Sequence, residues 1–151
     1  MIKRIFHPDD LEKLMVDVFA LQPPNNIKNY HNFITYNEER LYRAFSHKAV
    51  LAWDFFMWGN IEDDKYNGYI AFFNDKTERF HESLFQEMGW FSSDQKTGYK
   101  LLVTALKFAK EKEFDCVVMS SIVGNPKHEK LHKFYEKMGF KEDSISYIAK
   151  L

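Results

Sequence analysis

The sequence predicts one α/β domain on a mixed, mostly antiparallel sheet of roughly six to seven strands, flanked by about four helices. Three observations carry this. Apolar runs over 49–58, 66–73 and 80–91 follow one another with short polar turns between them, as in an antiparallel meander. A helix-periodic stretch over 98–112 then joins the last run to another at 115–120, the pattern of a βαβ crossover between parallel strands. With 151 residues, 45% hydrophobic and 17% aromatic, the chain can build a sizeable core, and one domain over residues 1–151 is the simplest division.

The elements follow in order. Residues 2–6 read as a short strand, ended by His7-Pro8-Asp9-Asp10, whose carboxylates suit a helix N-terminus. Leu11, Leu14, Met15, Val18 and Phe19 recur at helical spacing until Pro23-Pro24 stops them. Residues 23–37 form a loop rich in Asn and aromatics, and a second helix opens at Asn37-Glu38-Glu39 and runs to Phe45. The strand at 49–58 reads as covered on both faces, with Asp54 the exception. An acidic turn is expected over 59–65 and another over 74–77. Gly124-Asn125-Pro126 leads into a last helix that ends at Gly139, as a C-terminal glycine should. Residues 140–151 read as strand again, through Ile145 and Tyr147.

Charge and cysteine content narrow the function classes. The 21 basic and 22 acidic residues give a net charge of -1, which argues against a polyanion partner such as nucleic acid. The single Cys116 allows no intrachain disulfide and suits a reducing, cytoplasmic setting. The start of the chain is interrupted too early for a signal peptide, and no run is long enough to span a membrane.

Two stretches carry chemistry. Trp90 to Lys112 reads as strand, polar turn and helix, with the helix opening at Gly98. Helix N-terminal N–H groups lack intrahelical partners and carry partial positive charge, so such a turn can cradle a phosphate, and a glycine would let the backbone approach it. The second stretch, His128-Glu129-Lys130-Leu131-His132, matches the H-E-x-x-H pattern of zinc proteases. It lacks an obvious third ligand further on, and no metal is expected. A helical wheel gives this segment another meaning: Leu131, Phe134, Tyr135 and Met138 form an apolar stripe with Tyr135 and His128 along one edge.

The run Phe134-Tyr135-Glu136-Lys137-Met138-Gly139-Phe140 closely resembles the "FYEKLGF" segment near the C-terminus of the GNAT N-acetyltransferase superfamily. Gln95-Lys96-Thr97-Gly98-Tyr99-Lys100 looks like that family's acyl-CoA pyrophosphate loop, [Q/R]-x-x-G-x-[G/A]. The element order agrees over most of the chain, and the sequence-specific likeness spans roughly residues 90–140.

The resemblance implies a sheet whose 80–91 and 115–120 strands run parallel and splay apart. Acetyl-CoA would serve as co-substrate, its pantetheine pairing with backbone near Met88, Gly89 and Trp90, where a glycine inside a strand suits a bulge or a close backbone approach, and its pyrophosphate meeting N–H groups from Gln95 through Lys96, Thr97, Gly98 and Tyr99 to Lys100. Tyr135 would be the acid that protonates the thiolate or orients the sulfur. Glu82 is the preferred base, through water, with Glu87 and His128 as alternatives. The acceptor would be a primary amine on a small molecule or a protein, and a homodimer is left open. Two departures stand out. Lys100 replaces the last small residue of the loop, and His128 stands where the family often has Asn, seven residues before the tyrosine. These departures motivate an alternative to acyl transfer, a GNAT-like binding or regulatory module without catalysis. A third reading, a nucleic-acid-modifying enzyme of this fold, is opposed by the charge balance.

Overall fold

The computed structural model of the chain describes residues 1–21, 54–75, 82–121 and 127–144. The expected loop over 23–37, the helix over 37–45, the first part of the 49–58 run, the turn residues 76–77 and 124–126, and the last strand beyond 144 lie outside them. The described residues form two compact units, 1–21 with 54–75 and 82–119, and 120–121 with 127–144.

The first unit is a five-stranded sheet in the order β1-β2-β3-β4-β5. Its strands are β1 (Ile2–Arg4), β2 (Phe55–Glu62), β3 (Lys65–Asp75), β4 (Leu84–Ser92) and β5 (Cys116–Val118). The first three pairings are antiparallel, and β4 with β5 is parallel, as the crossover requires. Helix α1 (Pro8–Leu21) buries Leu11, Leu14, Met15 and Val18, which follow the predicted helical spacing. They pack with Phe55, Met57, Tyr66, Tyr69 and Ala71 of β2 and β3. Burying each large apolar side chain is worth about 1.5–3 kcal/mol, so this cluster is a main source of stability. Helix α2 (Gln95–Glu111) packs Phe108 against Phe56, Trp58 and Phe85. Phe85 also stacks on Phe72, with centroids 4.1 Å apart. The sheet is thus covered on both faces.

Several boundaries differ from expectation. The first turn is not spread over 59–65. Strand β2 continues to Glu62 and pairs with Lys65, leaving Asp63 and Asp64 as a two-residue hairpin turn at φ 48° and 57°. Asp tolerates the left-handed region, and two such residues match the twist of an antiparallel pair. Asn74 and Asp75, expected in a turn, still pair with Phe85 and Leu84. Strand β4 begins at Leu84, so Glu82 precedes it. Strand β5 is shorter than the run at 115–120 and is half-buried to exposed, with Cys116 exposed. Residues 140–144 are not strand.

In the second unit, helix α3 (His128–Lys137) ends as predicted. Gly139 takes φ +87°, its N–H reaches the Glu136 carbonyl, and the Phe140 N–H reaches the Tyr135 carbonyl at 3.0 Å. This double hydrogen bond closes the helix, and the Tyr135 and Phe140 rings, 5.7 Å apart, add the usual apolar contact across it. Leu131, Phe134, Tyr135 and Met138 are partly buried. Among the described residues five strands and three helices are present, and no helix is long and apolar enough to cross a membrane.

Candidate functional site

The predicted site residues fall in both units. In the first unit, β4 supplies Met88, Gly89 and Trp90. Its register against β3 jumps from Ala71↔Gly89 to Phe72↔Glu87, which makes Met88 an extra residue, a β-bulge. The bulge sits beside Gly89, where the sequence pointed to one, and bulges often re-aim a strand next to a site. On the other side, β4 pairs with β5 only over Leu84↔Cys116, Phe85↔Val117 and Gln86↔Val118. That parallel ladder stops two residues before the bulge residue. Glu82 is exposed and precedes the strand.

A clasp sets the start of the parallel pair. The Asp115 carboxylate accepts from the Ser83 N–H at 2.8 Å and the Ser83 hydroxyl at 2.9 Å. The Cys116 N–H returns to the Ser83 carbonyl at 3.2 Å. Bonds from the Ser83 backbone and hydroxyl hold Asp115 below the usual carboxylate range.

After β4 the chain turns through Ser93 and Asp94 into α2. The helix starts at Gln95, three residues earlier than expected, because Asp94 caps it. The Asp94 Oδ1 accepts from the Thr97 N–H at 2.9 Å, and the Gly98 N–H bonds the Asp94 carbonyl at 3.1 Å. Bonds from Thr97 first, then from Ser93 and the Lys96 N–H, hold the carboxyl below its ordinary value. The Thr97 and Gly98 N–H groups predicted to meet a pyrophosphate therefore already have acceptors, and that of Thr97 is an anion.

Gly98 has a packing reason to lack a side chain. A Cβ there would lie 2.6 Å from Ser92 Oγ and 3.4 Å from Trp90 Cζ2. Its bareness lets α2 approach the end of β4, so the glycine is explained before any ligand is invoked. Tyr99 and Lys100 are exposed, on the first turns of α2. Lys96 and Lys100 border a cavity of about 320 Å³, together with Asp94, Thr97, Met1, Asn60 and Glu62. Asn60, buried in β2, donates to Asn67 at 2.7 Å, and Asn67 donates to Glu62 at 2.9 Å. The lysine that departs from the family pattern thus places an ammonium in the same cavity as a carboxylate.

In the second unit, α3 carries His128 and Tyr135 along the edge that the wheel predicted. Both reach the same dipeptide. The Tyr135 hydroxyl donates to the Ser120 carbonyl at 3.3 Å, and His128 Nδ1 lies 2.8 Å from Ser121 Oγ. Along the H-E-x-x-H run the His128 and His132 rings are 6.4 Å apart, and His132 Nε2 lies 3.5 Å from Glu136. Among the described residues, no three His, Cys, Asp or Glu side chains come together as a metal set.

Sequence reasoning missed Asp94, Ser120 and Ser121. Asp94 carried a readable signal, a capping residue directly before a helical stretch, but Gly98 drew the helix start toward itself. Ser120 and Ser121 carried none, because their contacts are made through the fold.

No family model matches the chain, and no curated protein matches it. Solved structures do. One is a probable acetyltransferase, at 18% identity and a TM-score of 0.70, covering 100% of this chain and 97% of that one. Another is AAC(6')-Iy in complex with the bisubstrate analog CoA-S-monomethyl-acetylneamine, at 12% identity and a TM-score of 0.69, covering 100% and 97%. A third is the ribosomal-protein-alanine N-acetyltransferase of Brucella melitensis, at 13% identity and a TM-score of 0.65, covering 100% and 99%. With its mixed sheet, its parallel β4–β5 pair and whole-chain likeness to these enzymes, the chain has the fold of the GNAT acetyltransferases that its sequence resembles.

Proposed function

We propose that the chain is a single-domain N-acyltransferase that moves acetyl from acetyl-CoA to a primary amine by direct attack in a ternary complex. The observation that carries this reading is β4: bulged at Met88 beside Gly89, paired to β5 only through Gln86, and running straight into α2. A bulged strand leaving its parallel partner offers backbone groups to an extended ligand such as pantetheine. A neighbouring structure holds a CoA-linked bisubstrate analog on the same fold.

The chemistry follows from proton bookkeeping. The acceptor ammonium loses a proton, its nitrogen attacks the thioester carbon, and the C–S bond of the tetrahedral intermediate breaks. The thiolate then takes a proton, and the nitrogen gives up its second, which restores the group that protonated the sulfur. Tyr135 is assigned the transfer to the thiolate. Its hydroxyl hydrogen is held toward the Ser120 carbonyl at 3.3 Å, a long bond that a developing thiolate can outcompete. Glu82, exposed ahead of β4, is assigned the first transfer through water. The acceptor is a small-molecule or protein amine. One neighbour is an aminoglycoside acetyltransferase in complex with sisomicin, and another acts on a ribosomal-protein alanine. A cytoplasmic site suits the single, free Cys116.

The test is release of CoA thiol from acetyl-CoA across a panel of primary amines. Turnover with any of them supports the reading, and Glu82→Gln should then slow it at neutral pH. Bound CoA with no turnover across the panel points to the second reading, a binding or regulatory module. One observation favours that alternative: Asp94 already fills the start of α2 with negative charge.

A further inference from the structure

Strand β1 is an edge of the sheet, and Arg4 is a cation set into that edge without a counter-ion. Among the described residues no strand lies beyond β1. Met1 and Ile61 exchange hydrogen bonds, and the Ile5 N–H reaches the Met57 carbonyl at 2.9 Å, so Met1, Lys3 and Ile5 turn their backbone groups toward β2. In an antiparallel ladder the alternate residues, Ile2 and Arg4, then turn theirs outward. The Arg4 side chain lies on the α2 face of the sheet. Its guanidinium is 4.6 Å from the centres of the Phe6 and Phe108 rings, 5.0 Å from Phe56 and 5.6 Å from Trp58, all within cation–π reach. Its Nε is buried with no acceptor, the residue as a whole is half-buried, and among the described residues no carboxylate pairs with it. A second cation, Lys112, stands 6.0 Å from the same Phe108 ring, while Glu111 is taken by Lys107 at 3.8 Å. A charge that only guarded the edge against aggregation would stand in water. Arg4 is instead pinned between rings, its rotamer freedom already lost and the donors of its planar fork unused, which preorganises it for a carboxylate.

We propose that β1 takes an extended acidic segment of a partner protein as an added antiparallel strand, with a carboxylate of that segment engaging Arg4. The outward N–H and C=O groups of Ile2 and Arg4 supply the main-chain hydrogen bonds of such an addition. A residue paired with Arg4 projects its side chain on the same face of the sheet, so an Asp or Glu there meets the guanidinium. Phe6, 68% exposed at the end of the strand, offers apolar contact beside that pair. A second copy of this chain fits less well. Antiparallel pairing of β1 with itself about Lys3 sets Ile2 against Arg4, and β1 with its flanks, Met1-Ile2-Lys3-Arg4-Ile5-Phe6, brings two guanidinium groups to the edge and no carboxylate to either. The proposal does not depend on the acyl-CoA reading.

The experiment is a titration of ¹⁵N-labelled full-length protein, followed by NMR at low ionic strength, with three capped hexapeptides. One alternates valine and glutamate, the second has glutamine for glutamate, and the third is the first peptide N-methylated on its glutamates. The glutamate peptide should shift the Ile2 and Arg4 amide signals and the Arg4 Nε signal, and should bind about tenfold more tightly than the glutamine peptide, the scale of a charge-assisted hydrogen bond. N-methylation removes the N–H groups that an antiparallel strand turns toward β1, so the third peptide should not bind. Arg4→Met, which keeps an apolar stem between the rings, should bind the first two peptides equally. Should that variant fail to fold, the comparison of peptides on the wild type still decides. Equal affinity of the wild type for the glutamate and glutamine peptides overturns the carboxylate contact, and undiminished binding of the methylated peptide overturns strand addition. No binding of the glutamate peptide, or shifts confined to Lys96 and Lys100, overturns the proposal. So does pairing of β1 between two copies of the chain without peptide, seen as a concentration-dependent dimer in sedimentation that Arg4→Met strengthens.

Discussion

Helices α2 and α3 begin in opposite ways. Helix α2 is closed by its own anion: Asp94 accepts from the Thr97 N–H and is held ionised below its ordinary range. Helix α3 has no side-chain cap, begins behind the cation Lys127, and has its first residue tied sideways to Ser121. Both starts were candidate ligand contacts in the sequence, one as a phosphate cradle and the other through His128. The contrast teaches that a helix N-terminus is open to a ligand only after its own cap is accounted for. A pyrophosphate bound at α2, as proposed, would meet a carboxylate and two lysines, so its binding would displace Asp94 or take its charge from Lys96 and Lys100.

The largest effect expected from breaking this contrast is on the α3 side. Tyr135→Phe should lower kcat by roughly 10²-fold, the lower end for loss of a positioned acid, while acetyl-CoA affinity stays within about twofold. An unchanged kcat would remove Tyr135 from the chemistry. On the α2 side, Asp94→Asn keeps a capping acceptor and deletes the charge. It should tighten CoA about fivefold at low ionic strength, with the gain shrinking as salt rises. Equal affinity in the two proteins would mean that the carboxylate does not oppose the ligand.

Asp94→Ala removes the cap itself and should lower the melting temperature by a few degrees relative to Asp94→Asn. The pH dependence has a definite sign. Because the folded-state pKa of Asp94 is depressed, the stabilisation from its charge is present at neutral pH, above the ordinary carboxylate range. It is lost as the pH falls through that range to the depressed value. The melting difference between wild type and Asp94→Asn should close over the same acid window. The smallest effect lies at the far end of α3. Gly139→Ala forces a side chain into φ +87° and should cost about 1 kcal/mol, read by urea denaturation.

Much of the architecture was legible because it rests on periodicity and chain punctuation. Leu11, Leu14, Met15 and Val18 gave α1, the apolar runs gave β2 to β4 in order, and the crossover implied the parallel β4–β5 pair. Gly139 gave the end of α3. Boundaries were less legible, since backbone tolerance decided them: the Asp63-Asp64 hairpin fits in two residues what the composition spread over seven. At the site, the β4 bulge was readable from Gly89, and the shared edge of His128 and Tyr135 from the wheel. The state of the phosphate cradle was not, because Gly98 has two explanations in sequence and the packing against Ser92 supplies one of them. The contact of His128 with Ser121 could not be read, since the two meet only after the chain has folded.

Acyl-CoA binding by this fold, proposed although α2 carries its own anion, can be measured. Calorimetry of the full-length wild type with acetyl-CoA tests it directly. Saturable binding with one site per chain is expected, weaker at high salt and stronger in Asp94→Asn. No heat of binding at millimolar acetyl-CoA, in either protein, would contradict it.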